Sequence, residues 1–352
     1  MQHEKHIKHC FQLAEKGLGQ VSPNPMVGCV LVVNDTIIGE GFHQMYGEAH
    51  AEVNAIKSVK DSSLITKATL YVNLEPCSHQ GKTPPCADFI IQQGIKKVVI
   101  SNTDSNPLVA GKGIAKLKEA GIEVITGVLE EEGKNLNKRF FTFHEKKRPY
   151  IILKWAQTQD GYISRFPIPD DLKENWITGE ECKKRSHLWR SQEDAIMIGT
   201  NTALNDDPQL TTRLVKGKNP IRVVIDKKLM IPQTANIFNE EAKTIVFTEE
   251  EKTGNNHVEY IKTNFEENRI RFILSELHQR NISSLIVEGG AILINSFIQQ
   301  NLWDEARILV SDKKFGHGIS APSFQIPSSD CISLENDKIF MITNKLSKIA
   351  LS

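Results

Sequence analysis

One histidine, one glutamate and two cysteines in this chain have the types and spacing of a hydrolytic metal site. His50-Ala51-Glu52 is followed by Pro76-Cys77 and then by Cys86, with eight residues between the cysteines. Imidazole and two thiolates suit Zn²⁺, and three protein ligands leave a fourth tetrahedral position open for water. Water held there has its pKa brought toward about 7, so hydroxide is available at neutral pH. Glu52 stands two residues from His50, where an extended loop enters a helix, so a ligand and a non-ligating carboxylate share one pocket. In zinc deaminases such a glutamate activates the water and protonates the ring, and the exocyclic amine leaves as ammonia. Both cysteines precede a short helix, whose positive end favours thiolates.

Plainer readings compete with this one. A lone histidine or a lone cysteine pair is usually structural, and a His-Ala-Glu triplet recurs by chance. The combination in this order, between a strand and two helices, is far more specific. A purely structural zinc would need a fourth protein ligand, and His79 is the residue placed to supply it. The cysteine spacing also departs from the C-x-x-C of the general deaminase signature. The longer loop carries His79 and Lys82, a donor and a cation, and is expected to contact or shield the substrate.

The elements that must position these residues alternate. Residues 27–33 are an apolar run, Asn34-Asp35 supplies a turn, and 36–39 begin a return strand, so a hairpin is expected. A helix should start near His50 and run to Lys57. Strands follow at 69–74, 97–101 and 122–126, with helices after Cys86, closed by Gly94, and over 111–121. Residues 130–148 are charged and lack apolar periodicity apart from Phe140, Phe141 and Phe143. The domain boundary is expected near residue 146, giving domains 1–146 and 147–352. Beyond it, strands at 150–153, 194–198, 221–225, 244–247, 284–288 and 306–310 are interleaved with helices at 180–191, 266–280 and 291–300. Two α/β domains are expected, the first a sheet sandwiched between helices. A length of 352 residues suits two domains.

Charge is balanced, with 43 basic and 43 acidic residues. This excludes the basic footprint of a nucleic-acid or anionic-membrane binder. Ile7, Phe11, Ala14 and Leu18 recur at helical spacing, so the N-terminus reads as an amphipathic helix rather than a signal peptide. No apolar run reaches the roughly 18 residues a bilayer span needs. Six cysteines in so long a chain do not form a disulfide framework, and clustered cysteines in a reducing compartment more often bind metal. A cytoplasmic enzyme with a small-molecule substrate is expected, and a homo-oligomer.

In the second domain an apolar strand ends in Glu288-Gly289-Gly290 and a helix begins at once. Such a turn lets backbone approach a phosphate at a helix N-terminus, although any tight strand-to-helix turn can use glycine pairs. It is not the G-x-G-x-x-G fingerprint, so a standard Rossmann site is not supported.

The chain resembles the bifunctional deaminase–reductase family of riboflavin biosynthesis over nearly its full length. The segments that carry the resemblance are SPNPMVGCVLV at 22–32, GEGFHQMYGEAHAE at 39–52, EPCSHQGKTPPC at 75–86 and DSNPLVAGKG at 104–113, with LKWAQTQDG at 153–161, residues 176–213 and LIVEGGAILIN at 285–295. The resemblance implies a cytidine-deaminase-like three-layer αβα domain followed by a dihydrofolate-reductase-like α/β domain that uses NADPH. It implies deamination of a diaminopyrimidinone bearing a ribosylamino 5-phosphate, then reduction of the ribosyl group to ribityl. Deaminase substrate contacts carry over to Asn24, His43, His79 and Lys82, with Asp104 and Asn106 at the rim near the ribose. Reductase substrate contacts carry over to Lys154, Arg190, Leu210, Arg213 and Glu288. Cofactor contacts carry over to Ala156, Trp176, Thr202, Asp206 and the turn formed by Gly290, Ala291, Ile292, Leu293, Ile294 and Asn295. Two arginines suit a phosphate dianion because the guanidinium fork matches its oxygens. Against this, Asn24 can be read as a turn residue, His43 as a strand-end residue, Lys82 as a solvated lysine, Trp176 as a core aromatic and Arg190 as a helix-surface charge.

Two departures from the family pattern stand out. Ser105 replaces the usual proline after Asp104. The stretch 162–176 is longer than usual and contains prolines, and Glu174 occupies the position of a serine that touches substrate. Glu174 is not carried over. The competing functional classes are a cytidine or tRNA-adenosine type zinc deaminase with a non-catalytic second domain, and a zinc-stabilised binding module.

Overall fold

A computed structural model describes residues 2–78, 84–107, 109–169, 171–265, 268–326 and 331–345. The chain divides into two compact units, Met1–Lys147 and Arg148–Ser352.

The first unit begins with α1 (Gln2–Glu15), the hairpin β1 (Gly28–Val33) and β2 (Thr36–Phe42), and α2 (Ala51–Lys57). It continues through β3 (Thr69–Leu74), α3 (Cys86–Gln92), β4 (Lys97–Asn102), α4 (Lys112–Glu119), β5 (Glu123–Ile125), α5 (Glu130–Leu136) and α6 (Lys138–Lys146). The sheet order is β2-β1-β3-β4-β5, with β1 antiparallel to its neighbours and β3, β4 and β5 parallel. Asn34 and Asp35 turn the hairpin with φ of 49° and 63°, the left-handed pair that a two-residue hairpin loop requires. Side chains alternate across the sheet as strand geometry dictates. Cys29, Leu31, Leu70, Val72, Val98 and Ile100 face Ala55, Ile90 and Leu117 of α2, α3 and α4. Val30, Val32, Tyr71 and Val99 face Ile7, Cys10 and Leu13 of α1. Gly41 brings α2 down on β2, since a Cβ there would lie 2.4 Å from Ala55 N.

The charged stretch 130–148 differs from expectation: it forms α5 and α6, and Phe140, Phe141 and Phe143 are buried. Helical periodicity is masked because much of the contact is polar. Asn102 Nδ2 donates to Glu130 O at 2.9 Å, and Asn137 pins Met26 from both sides, accepting its N–H at 2.8 Å and donating to its carbonyl at 2.9 Å.

The second unit contains β6 (Tyr150–Gln157), β7 (Tyr162–Ser164), α7 (Glu180–Gln192), β8 (Ala195–Gly199), α8 (Thr200–Asp206), β9 (Ile221–Ile225), β10 (Thr244–Thr248) and β11 (Val258–Lys262). These are followed by α9 (Arg269–Gln279), β12 (Ser284–Val287), α10 (Ala291–Gln299), β13 (Glu305–Val310), β14 (Ile319–Ser320), β15 (Cys331–Leu334) and β16 (Asp337–Thr343). Nine strands form one sheet in the order β11-β10-β9-β8-β12-β6-β13-β16-β15, parallel up to β13 and antiparallel beyond it. One face packs on α9 and α10 through Ile273, Leu277, Ile294 and Phe297. The other packs on α7 and α8 through Cys182, Trp189 and Ala203. The edge strands β11 and β15 are short half-polar runs that hydrophobic patterning does not reveal. No helix among the described residues is long and apolar enough to cross a membrane.

Candidate active sites

His50 ends the extended loop before α2, with φ −74° and ψ 166°. Cys77 follows β3, and Cys86 is the first residue of α3. His50 Nδ1 lies 3.6 Å from Cys77 Sγ and 3.3 Å from Cys86 Sγ. The three ligand atoms all lie within 4.8 Å of one another, and among the described residues no fourth donor joins the group. Ligands about 2.1 and 2.3 Å from a tetrahedral zinc stand roughly 3.6 Å apart, so the donor set fits the ion in chemistry and in spacing. His79, the candidate fourth ligand, and Lys82 lie outside the described residues.

The cysteines are inequivalent. Cys86 N donates to Cys77 Sγ at 3.3 Å. Hydrogen bonding to Cys86 draws the Cys77 thiol down to about 4, while the same pairing and burial push Cys86 well above the usual thiol range. Glu52 is buried on the first turn of α2. Burial drives its carboxyl up to about 7, against the pull of His50. A carboxyl in that range can take and return a proton near neutrality.

Asn24 and His43 meet beside the histidine ligand. Asn24 Nδ2 is 3.1 Å from His43 Nε2, and His43 Nδ1 is 3.2 Å from Ala49 O. These contacts suit one neutral tautomer, with the proton on Nδ1, and burial lowers the pKa of the ring. The His43 ring stands edge-on to His50 at 5.2 Å between centroids. Asp104 is also buried, and its Oδ1 accepts from Asn106 N at 2.6 Å. Burial, with nearby Glu75, raises the Asp104 carboxyl to about 7. Glu75 itself accepts four backbone N–H groups from residues 104–114. Sequence reasoning missed Glu75, because an acid that holds distant backbone looks like any other acid in sequence.

In the second unit Lys154 of β6, Arg190 of α7 and Glu288, just past β12, converge. Lys154 Nζ is 3.0 Å from Glu288 Oε1, and Arg190 Nη2 is 2.6 Å from Oε2. The register that pairs Val287 with Leu153 sets Glu288 level with Lys154. Arg213 reaches the same region: its N–H donates to His187 Nδ1 at 3.0 Å and its Nη1 to Gln209 Oε1 at 2.7 Å. Burial first, then Arg190 and Arg213, lower the His187 pKa to about 4, so the ring is neutral. His187 was not legible in sequence. Leu210 is buried with φ 55°, a left-handed turn in the loop that carries Gln209 and Thr211.

Gly290 N donates to Thr202 Oγ1 at 3.1 Å, tying the turn before α10 to α8. Ala291 starts α10, Ile292 is 76% exposed, Leu293 packs at the core edge and Ile294 is fully buried. Ile294 can therefore offer a ligand only its backbone. Asn295 Oδ1 accepts from Ser323 N at 2.9 Å. Trp176 is 50% exposed rather than a core aromatic, with Lys183 Nζ 3.0 Å above its ring and Lys313 Nζ 2.7 Å from its carbonyl. Ala156 lies on β6 and Asp206 ends α8. Among the described residues of the long 162–176 stretch, β7 pairs with β14, and Asn175 Oδ1 accepts from Arg165 N at 2.8 Å. Glu174 is exposed.

A three-layer unit with a His-Cys-Cys donor set defines a zinc deaminase, and it is joined to a mostly parallel α/β unit with a cluster of cationic side chains at its strand ends. Residues 1–102 match the family described as the cytidine and deoxycytidylate deaminase zinc-binding region, and residues 149–347 match the RibD C-terminal domain. The riboflavin biosynthesis protein RibD of Aquifex aeolicus is 41% identical over 92% of this chain and 91% of its own. That of Escherichia coli is 35% identical over 90% of this chain and 89% of its own. The crystal structure of a diaminohydroxyphosphoribosylaminopyrimidine deaminase/5-amino-6-(5-phosphoribosylamino)uracil reductase from Thermotoga maritima is 39% identical, covers 97% of this chain and 98% of that one, and superposes with a TM-score of 0.85. The chain belongs to the RibD family of riboflavin biosynthesis, whose members are bifunctional deaminase–reductases. Its first unit is cytidine-deaminase-like with a zinc-binding region, and its second is dihydrofolate-reductase-like with a nucleotide cofactor.

Proposed function

We propose that the unit ending near residue 146 hydrolyses the 2-amino group of 2,5-diamino-6-(5-phosphoribosylamino)pyrimidin-4-one, and that the unit from 147 onward reduces the ribosyl group of the uracil product to ribityl with NADPH. The observation that carries this reading is the convergence of His50, Cys77 and Cys86 beside a buried, easily protonated Glu52. Zinc held by those three residues supplies a Lewis acid next to a water. Glu52 would take one proton from that water and pass it to the ring nitrogen as the oxygen bonds C2, then carry the second proton to the amine, so that the C–N bond breaks, ammonia leaves and the carbonyl forms. Asn24 and neutral His43 hold the pyrimidine edge, with His79 and Lys82 on the loop between the cysteines. Asp104 and Asn106 take the ribose.

In the second unit Lys154, Arg190 and Arg213 offset by Glu288 leave a net of about two positive charges, which suits a phosphate dianion. NADPH supplies the hydride. Ala156, Trp176, Thr202, Asp206 and residues 290–295 are its proposed contacts, and Leu210 shapes the substrate side. A homo-oligomeric, cytoplasmic enzyme completes the proposal on the resemblance alone, and light scattering and cell fractionation test those two points.

Incubation with the diaminopyrimidinone, with and without chelator and NADPH, tests the central claim. Ammonia should form without NADPH, cease with chelator, and precede NADPH oxidation. Turnover of cytidine or RNA in place of the pyrimidine phosphate would overturn it.

A further inference from the structure

Glu75 lies between β3 and the metal ligand Cys77, and its side chain is buried. Among the described residues it makes no hydrogen bond to the metal group. Its Oε2 accepts from Asp104 N at 3.2 Å and Gly111 N at 3.0 Å. Its Oε1 accepts from Gly113 N at 2.9 Å and Ile114 N at 3.1 Å. Gly113 and Ile114 open α4, whose first N–H groups have no partner within the helix. One carboxylate, just past the end of β3, thus caps α4 and ties down both ends of the 104–114 segment. Gly113 permits the approach: a Cβ there would lie 2.0 Å from Pro76 O. A second link runs along the chain, since Glu75 N donates to Asn102 O at 2.9 Å and joins the ends of β3 and β4.

We infer that Glu75 is a positioning residue for the deaminase, setting where Asp104 and Asn106 stand relative to the metal ligand Cys77. The metal ligand and the rim are then held by the same short stretch of backbone, with the peptide of Pro76 between them. Substrate affinity rather than the chemical step depends on the clamp. The inference rests on the proposed contact of Asp104 and Asn106 with the substrate ribose.

The experiment uses the full chain, so the reductase serves as an internal control for folding. Glu75→Gln keeps the size of the side chain but turns one acceptor into a donor facing N–H groups. Deamination should show KM raised about tenfold or more, as the loss of buried charge-assisted bonds implies, with kcat changed far less. Zinc content should stay at its wild-type level, and NADPH oxidation on supplied uracil substrate should be unchanged. Amide exchange at Gly111, Gly113 and Ile114 should quicken. Gly113→Ala disturbs the same clamp from the other side and should reproduce the rise in KM. Unchanged KM in both variants overturns the inference, as does loss of zinc from Glu75→Gln, which would make Glu75 a support for Cys77. Asn106→Ala separates the two claims: unchanged KM there sinks the ribose reading, whereas raised KM there with an unaffected Glu75→Gln sinks only the clamp.

Discussion

Arg190 donates from Nη2 to Glu288 Oε2 at 2.6 Å, while Lys154 holds Oε1 of the same carboxylate at 3.0 Å. Burial alone would raise the Glu288 carboxyl, but the two cations outweigh it and hold the group at about 2, below its ordinary 4.5. The stabilisation from this pairing is therefore complete above about 4.5 and is lost as pH falls toward 2. The shift corresponds to about 3 kcal/mol at most. Glu288→Gln leaves Lys154 and Arg190 without a buried counter-charge and should destabilise the second unit by about 3 kcal/mol. Urea titrations across the acid range should show a flatter pH dependence in the variant. Parallel curves would mean that the pairing is not the source.

Removal of zinc should separate the two activities. Chelation, or Cys77→Ser or Cys86→Ser, should reduce ammonia release to background while NADPH oxidation on supplied uracil substrate continues. Metal analysis beside the two assays decides it. Parallel loss of both activities would mean that the metal stabilises the whole chain.

Glu52→Gln should lower kcat for deamination by about 10² to 10⁴, the usual worth of a positioned general acid–base group. Zinc content should be retained, because Glu52 is outside the ligand group. Near-normal turnover would transfer the proton role elsewhere.

Asn24→Ala removes the amide that faces His43 Nε2. The imidazole then loses the partner that orients it, and kcat/KM for deamination should fall about tenfold. Asn24→Asp should be worse, since the carboxylate replaces a donor with an acceptor. Steady-state kinetics at constant zinc occupancy checks both.

The exposed Glu174 is expected to contribute little, so Glu174→Ser should leave reductase kcat/KM within about twofold. Trp176→Ala should raise KM for NADPH and leave deamination untouched. A large gain from Glu174→Ser would show that the carboxylate does oppose the substrate phosphate.

Some of this was legible from residue order alone. Ligand chemistry depends on side-chain type, and a helix or strand start is a local signal, so His50, Glu52, Cys77 and Cys86 could be singled out before any fold was known. The hairpin at Asn34-Asp35, the alternation of β1, β3 and β4, and the Glu288-Gly289-Gly290 turn were readable for the same reason. Residues 130–148 misled, because α5 and α6 are held by Asn102, Asn137 and three phenylalanines rather than by a regular apolar stripe.

The tertiary structure decided what depends on distance between far-separated residues. Sequence puts Arg190 and Glu288 98 positions apart, and only the parallel pairing of β12 with β6 and the packing of α7 bring them together with Lys154. Glu75 is the clearest case. Its four acceptor contacts go to backbone N–H groups, which every residue except proline carries, so no side-chain pattern at 104–114 could have announced them.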